Sequence, residues 1–199
     1  MMIKSITKLL PLFILTGCLS FPVVISKDPF KGTSVVTADM WHTVIDSRID
    51  NLRVLYQKEI VNGEISEPTV SFVFAADIDP YFYNYHGDDL KPEAYILADS
   101  RSFRVDLMER NNENRQGASY FYYYPMVIPF YRGFIITSRR QRILTAQLKL
   151  TPEIQKAVIN SKNYMIRFYF GDNPLTLEAT PKQLESVKKF LAAGITTSQ

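Results

Sequence analysis

From about residue 50 onward, apolar and polar positions alternate along one short stretch after another. Val70, Phe72, Phe74 and Ala76 are interleaved with Ser71, Val73 and Ala75; Phe103, Val105 and Leu107 with Ser102, Arg104 and Asp106; Leu144, Ala146, Leu148 and Leu150 with Ile143, Thr145, Gln147 and Lys149. Successive strand residues point to opposite faces, so each stretch lays one apolar row on a core face. Residues 52–61, 94–98, 119–124, 130–137, 164–170 and 175–178 are further strand candidates. The connectors carry turn chemistry: Asp99-Ser100 between two strands, Asn111-Asn112-Glu113-Asn114 as a longer loop, and Gly171-Asp172-Asn173-Pro174 before the last strand.

Two helices are marked by their starts. Thr151-Pro152-Glu153 supplies an N-cap, a proline at the first helical position and an early acid, ahead of Ile154, Ala157 and Val158. Thr180-Pro181-Lys182-Gln183 adds the glutamine of a capping box, followed by Leu184, Val187, Phe190 and Leu191 on one face, with Gly194 as the stop. Many short strands with two late helices predict a mainly β fold: an antiparallel β-sandwich or barrel-like domain with the last helix, about residues 181–193, packed on the sheet.

The start of the chain has a different pattern. Lys4 and Lys8 precede the apolar run Leu9-Leu10-Pro11-Leu12-Phe13-Ile14-Leu15, and Thr16 and Gly17 lead into Cys18. Basic, then apolar, then small is the order of a secretory signal, and the run is much shorter than the roughly 20 residues that span a bilayer. Leu15-Thr16-Gly17-Cys18 resembles the lipobox of bacterial lipoproteins, the motif read by lipoprotein signal peptidase. That resemblance covers residues 1–18. It implies cleavage before Cys18, a diacylglycerol on the thiol and an N-acyl chain on the new amino group, so the partner is a membrane held through covalent lipid. Cys18 is the only cysteine and has no intramolecular disulfide partner. Two or three acyl chains hold a protein stably where one does not. Leu19 stands where inner-membrane lipoproteins of enteric-type bacteria carry aspartate, so the resemblance points to the outer membrane; in a Gram-positive host it points to the outer face of the plasma membrane.

Cleavage changes the charge balance. Lys4 and Lys8 are the only charges in residues 1–17, so the net charge falls from +3 to +1. With export, this argues against a nucleic-acid partner. The expected organisation is a signal peptide over 1–17, a lipid-anchored tether over 18–37 of which part packs as a first strand, one globular domain over 38–194 and a polar tail over 195–199. About 180 residues are enough to bury a core without disulfides.

Chemistry is sparse. The chain has no Gly-x-Ser-x-Gly elbow, no phosphate-binding glycine loop and no His-Glu-x-x-His helix, and its two histidines, His42 and His86, lie far apart. No catalytic residue and no metal ligand is assigned. His42, beside the only tryptophan, Trp41, reads as a packing or surface residue. Residues 77–89 hold four aspartates, Asn84 and His86; they read as a polar loop, and their spacing is not that of a calcium-binding EF-hand. Aromatic density is the stronger signal. Tyr81, Tyr83 and Tyr85 form one cluster with Phe82; Tyr120, Tyr122 and Tyr124 form another with Phe121 and Tyr123, followed by Phe130, Tyr131 and Phe134. A strand cannot turn five consecutive rings into one core, so some of them meet solvent, a second layer or a partner. Tyrosine suits proteins and glycans alike. Arg132, Arg139, Arg140 and Arg142 read as a solvated face or a cationic rim. The expectation is a non-catalytic envelope lipoprotein that binds a protein or glycan through its tyrosines. The alternative is an exported hydrolase using aspartates and His86 within residues 77–89.

Overall fold

The computed structural model describes residues 21–42, 49, 51–78, 89–122 and 134–194, with the backbone alone for 76–78, 114–122 and 134–141. Its strands are β1 (Val23–Asp28), β2 (Thr33–His42), β3 (Asn51–Val61), β4 (Glu64–Ile65), β5 (Thr69–Ile78), β6 (Glu93–Ala98), β7 (Arg101–Asp106), β8 (Met108–Tyr122), β9 (Phe134–Lys149), β10 (Tyr164–Phe170) and β11 (Asn173–Glu178). Helix α1 (Pro152–Asn160) precedes β10, and α2 (Pro181–Ala192) follows β11. One sheet has the order β1-β2-β3-β5-β9-β8, with β4 also on β3; the other has the order β11-β10-β6-β7. Every pairing is antiparallel.

Turn residues set the registers. Asn62 and Gly63 both have positive φ (54° and 86°), as the two-residue hairpin from β3 to β4 requires. β4 and β5 share one side of β3, but Pro68 lies between them and the register slips by one: Ile60 opposes Ile65, whereas Gln57 opposes Thr69. Asp99, at φ 51°, turns β6 into β7, and its carboxylate accepts from the Lys162 and Asn163 N–H groups, both at 2.9 Å. Those bonds hold the exposed Asp99 carboxyl below its usual pKa.

The alternating rows meet between the sheets. Phe72 and Phe74 of β5 face Phe168 and Phe170 of β10, with T-shaped contacts at centroid separations of 4.8, 5.1 and 5.6 Å. Each such ring, fully buried, contributes about 1.5–3 kcal/mol relative to exposure. Helix α2 packs on the β1–β3 side of the larger sheet, with Phe190 against Tyr56 at 5.7 Å. Thr180 accepts from the Gln183 N–H, while the Gln183 side chain accepts from the Thr180 N–H at 2.8 Å, closing the capping box. The fold is thus an antiparallel sandwich of two separate sheets, not a closed barrel, with the last helix on the sheet.

Within residues 18–37, β1 and the first half of β2 are strand, and Phe21 and Val23 pack against the core. Two stretches differ from the sequence expectation. Residues 111–114, expected as a loop, are part of β8, whose register on β9 shifts by one at an irregularity between Met108 and Asn111. This is an edge strand, where ladder hydrogen bonds alone hold the backbone and polar side chains guard against pairing with another chain. β9 is continuous where two strands were expected, and it carries Arg139, Arg140 and Arg142 within it.

Candidate functional site

The second tyrosine cluster is carried by a ribbon. β9 pairs with β5 as far as Ile78↔Arg140, while its pairing with β8 continues to Tyr122↔Phe134. Over that outer part, among the described residues, β8 and β9 pair only with each other. Tyr120 stands opposite Ile136, Phe121 opposite Ile135 and Tyr122 opposite Phe134. Tyr120 and Tyr122 therefore occupy alternate positions on one face of the ribbon. Tyr124, Tyr81, Tyr83, Tyr85 and Arg132 lie outside the described residues, as does Cys18.

Only the two ends of the acid-rich segment are described. Asp77 sits in β5 opposite Gln141, whereas Asp79, His86 and Asp88 lie outside the described residues. Asp89 has an anchoring role: it accepts from Arg142 Nη2 at 3.0 Å and from Asn112 at 3.3 Å, and Arg142 Nε donates to Asn112 Oδ1 at 3.1 Å. Arg142, with a side chain only 16 % exposed, is therefore part of a structural cluster joining the chain before β6 to β8 and β9, not of a solvated rim. No group of three or more potential metal ligands occurs among the described residues.

A concavity among the described residues lies elsewhere. A cleft of about 630 Å³ opens where the chain enters β1, bounded by Phe21, Trp41 and His42 on one side and by Glu178, Thr180, Lys182 and Gln183 on the other. Alternation along β2 buries Met40 and turns Trp41 outward, 60 % exposed. The Arg53 guanidinium lies 5.8 Å from the indole centroid and is held by Asp39. Gln183 is buried and binds both sides: its Oε1 accepts from the Thr180 N–H and hydroxyl, and its Nε2 donates to Trp41 O and His42 Nδ1, each at 3.4 Å. His42 thus serves as an acceptor in its neutral form, and burial lowers its pKa. Beneath it, a cavity of about 10 Å³ among Met40, Val54, Tyr164 and Val187 has room for about one water. The cleft offers an aromatic face, a cation, a carboxylate and a helix start, which is contact chemistry for binding.

The sequence signalled this cleft only faintly, through the adjacency of Trp41 and His42 and the capping box 140 residues later; nothing in the spacing brings them together. Lys58, a charged residue that sequence pattern alone assigns to solvent, continues the inward row Leu52, Val54 and Tyr56. It is buried, donates to Leu191 O at 2.9 Å, lies 5.2 Å from the Phe190 ring centroid, and has its pKa lowered to about 8 by desolvation. The chain matches no family model, no curated protein and no solved structure.

Proposed function

We propose that the chain is a lipid-anchored envelope lipoprotein acting as a non-catalytic binding module, with the outer β8–β9 ribbon as its contact surface for an envelope protein or glycan. The lipobox resemblance at residues 15–18 supports the anchor, with the outer membrane as its address and the outer face of the plasma membrane as the alternative. The observation that carries the binding role is the ribbon itself. A two-stranded ribbon is marginally stable alone, and this one places Tyr120 and Tyr122 beyond the last described β5 pairing. Extended β structure with aromatic positions is a common way to receive a partner.

A photo-crosslinking residue at position 120 or 122, introduced into the lipidated protein in intact cells, tests this. A discrete adduct is expected from either position, and Tyr120→Ala with Tyr122→Ala should abolish capture at an unchanged melting temperature, since aromatic hot spots are worth about 2 kcal/mol or more each. Adducts at control positions on β11 but none on the ribbon would overturn the assignment.

A further inference from the structure

We propose that the Phe21–Trp41 end of the sandwich seats directly on the lipid headgroup layer, a surface that deepens the lipid-anchor reading and rests on it. The argument begins with reach. Three Cα–Cα steps separate Cys18 from Phe21, at most about 11 Å of chain. Phe21 is packed against the core, so a chain of this length leaves little slack between Cys18 and the domain surface. A lipidated Cys18 lies at headgroup depth, and the domain surface around Phe21 is drawn to the same level.

That surface has the composition an interface selects. Trp41 stands beside Phe21 at the mouth of the cleft, 60 % exposed, and Lys182 lies across from it. An indole is favoured at the boundary between headgroups and hydrocarbon, and a lysine adds attraction to anionic lipid. Glu178 also lines the cleft and opposes that charge in part, so the seating is carried chiefly by the tether and the aromatic ring. The other exposed aromatic of this edge, Phe30, is 98 % exposed but sits in the turn beyond the far end of β1, about 20 Å away along the strand direction. The proposal assigns the near ring to lipid and the far one to water.

Trp41 is the only tryptophan, so its fluorescence reads the surface directly. Mature lipidated protein is reconstituted into phosphatidylethanolamine–phosphatidylglycerol vesicles with or without brominated acyl chains, beside the unlipidated Cys18→Ser protein mixed with the same vesicles. Flotation and intact mass report the anchor independently of the tryptophan. The expected result is co-flotation, a blue shift, loss of Trp41 emission to bromine and loss of iodide quenching in the lipidated protein alone. In a Trp41→Phe, Phe30→Trp protein, the new ring should stay accessible to iodide and insensitive to bromine. A protein that floats while Trp41 remains as iodide-accessible as in the Cys18→Ser control would overturn the seating and leave the anchor standing. Bromine quenching at position 30 equal to that at 41 would also overturn it, by showing the whole β1 edge on lipid. Absence of lipid mass on Cys18 would overturn the anchor and the seating together.

Discussion

Lys58 is a cation placed on the apolar row of β3, and its environment explains how that is tolerated. The last turn of α2 offers the Leu191 carbonyl, and the negative end of the helix dipole favours a positive charge there. Burial still disfavours the ammonium, lowering its pKa from 10.5 to about 8. Between those values the unfolded chain binds more protons than the folded one, so the Lys58 contribution to stability increases as pH rises through that window, by at most about 1.4 kcal/mol per unit. The neighbouring pair Tyr56 and Tyr164, with hydroxyls 3.4 Å apart, acts in the opposite sense. Both phenols are pushed up by burial, Tyr164 to about 12, so their contribution is intact below pH 10.0 and is lost as pH rises toward 12. Urea midpoints should therefore climb from pH 8 toward 10 and fall beyond it, and Lys58→Met should flatten the climb while leaving the fall.

At the scale of elements, α2 is held by its ends. The Thr180 hydroxyl and the Gln183 amide satisfy each other's backbone, and that amide also reaches Trp41 O and His42, so the cap doubles as the wall of the cleft. Thr180→Ala should cost about 1–2 kcal/mol in denaturant titrations and weaken the His42 contact, visible as a rise in the His42 pKa by NMR. At the other end, Gly194 has φ +87°, and an added Cβ would meet Ile60 Cδ1 at 2.6 Å. These helix limits were legible from Thr-Pro and Gly because capping is local chemistry. The strands with one buried face were legible as well, since burial imposes alternation. The bounds of β1 and the polar half of β8 were not, because an edge strand takes its pairing from its neighbour's backbone and needs no strict alternation. Asn62-Gly63 is a local hairpin signal of the same kind as the caps. The cleft was only faintly legible for a different reason: Phe21, Trp41 and Gln183 come together only through sheet order and the packing of α2.

For the whole molecule, the join between the sheets depends on few rings. Phe168 touches both Phe72 and Phe74 and is wholly buried. Phe168→Ala should cost about 3–5 kcal/mol, read as a shift in the denaturant midpoint, because the surrounding rings cannot close the void. The larger sheet has β1 at one margin and β8 at the other. β1 joins the sheet only through its six-pair ladder to β2, from Val23↔Ala38 to Asp28↔Thr33. That has a mechanical meaning. A pull applied at Phe21, outward from the domain, loads those pairs one after another from the Val23 end, as a zipper is opened, instead of shearing all six together. Tension transmitted from the N-terminal side is thus relieved first by peeling β1, while the phenylalanine join between β5 and β10, farther from the point of load, remains closed.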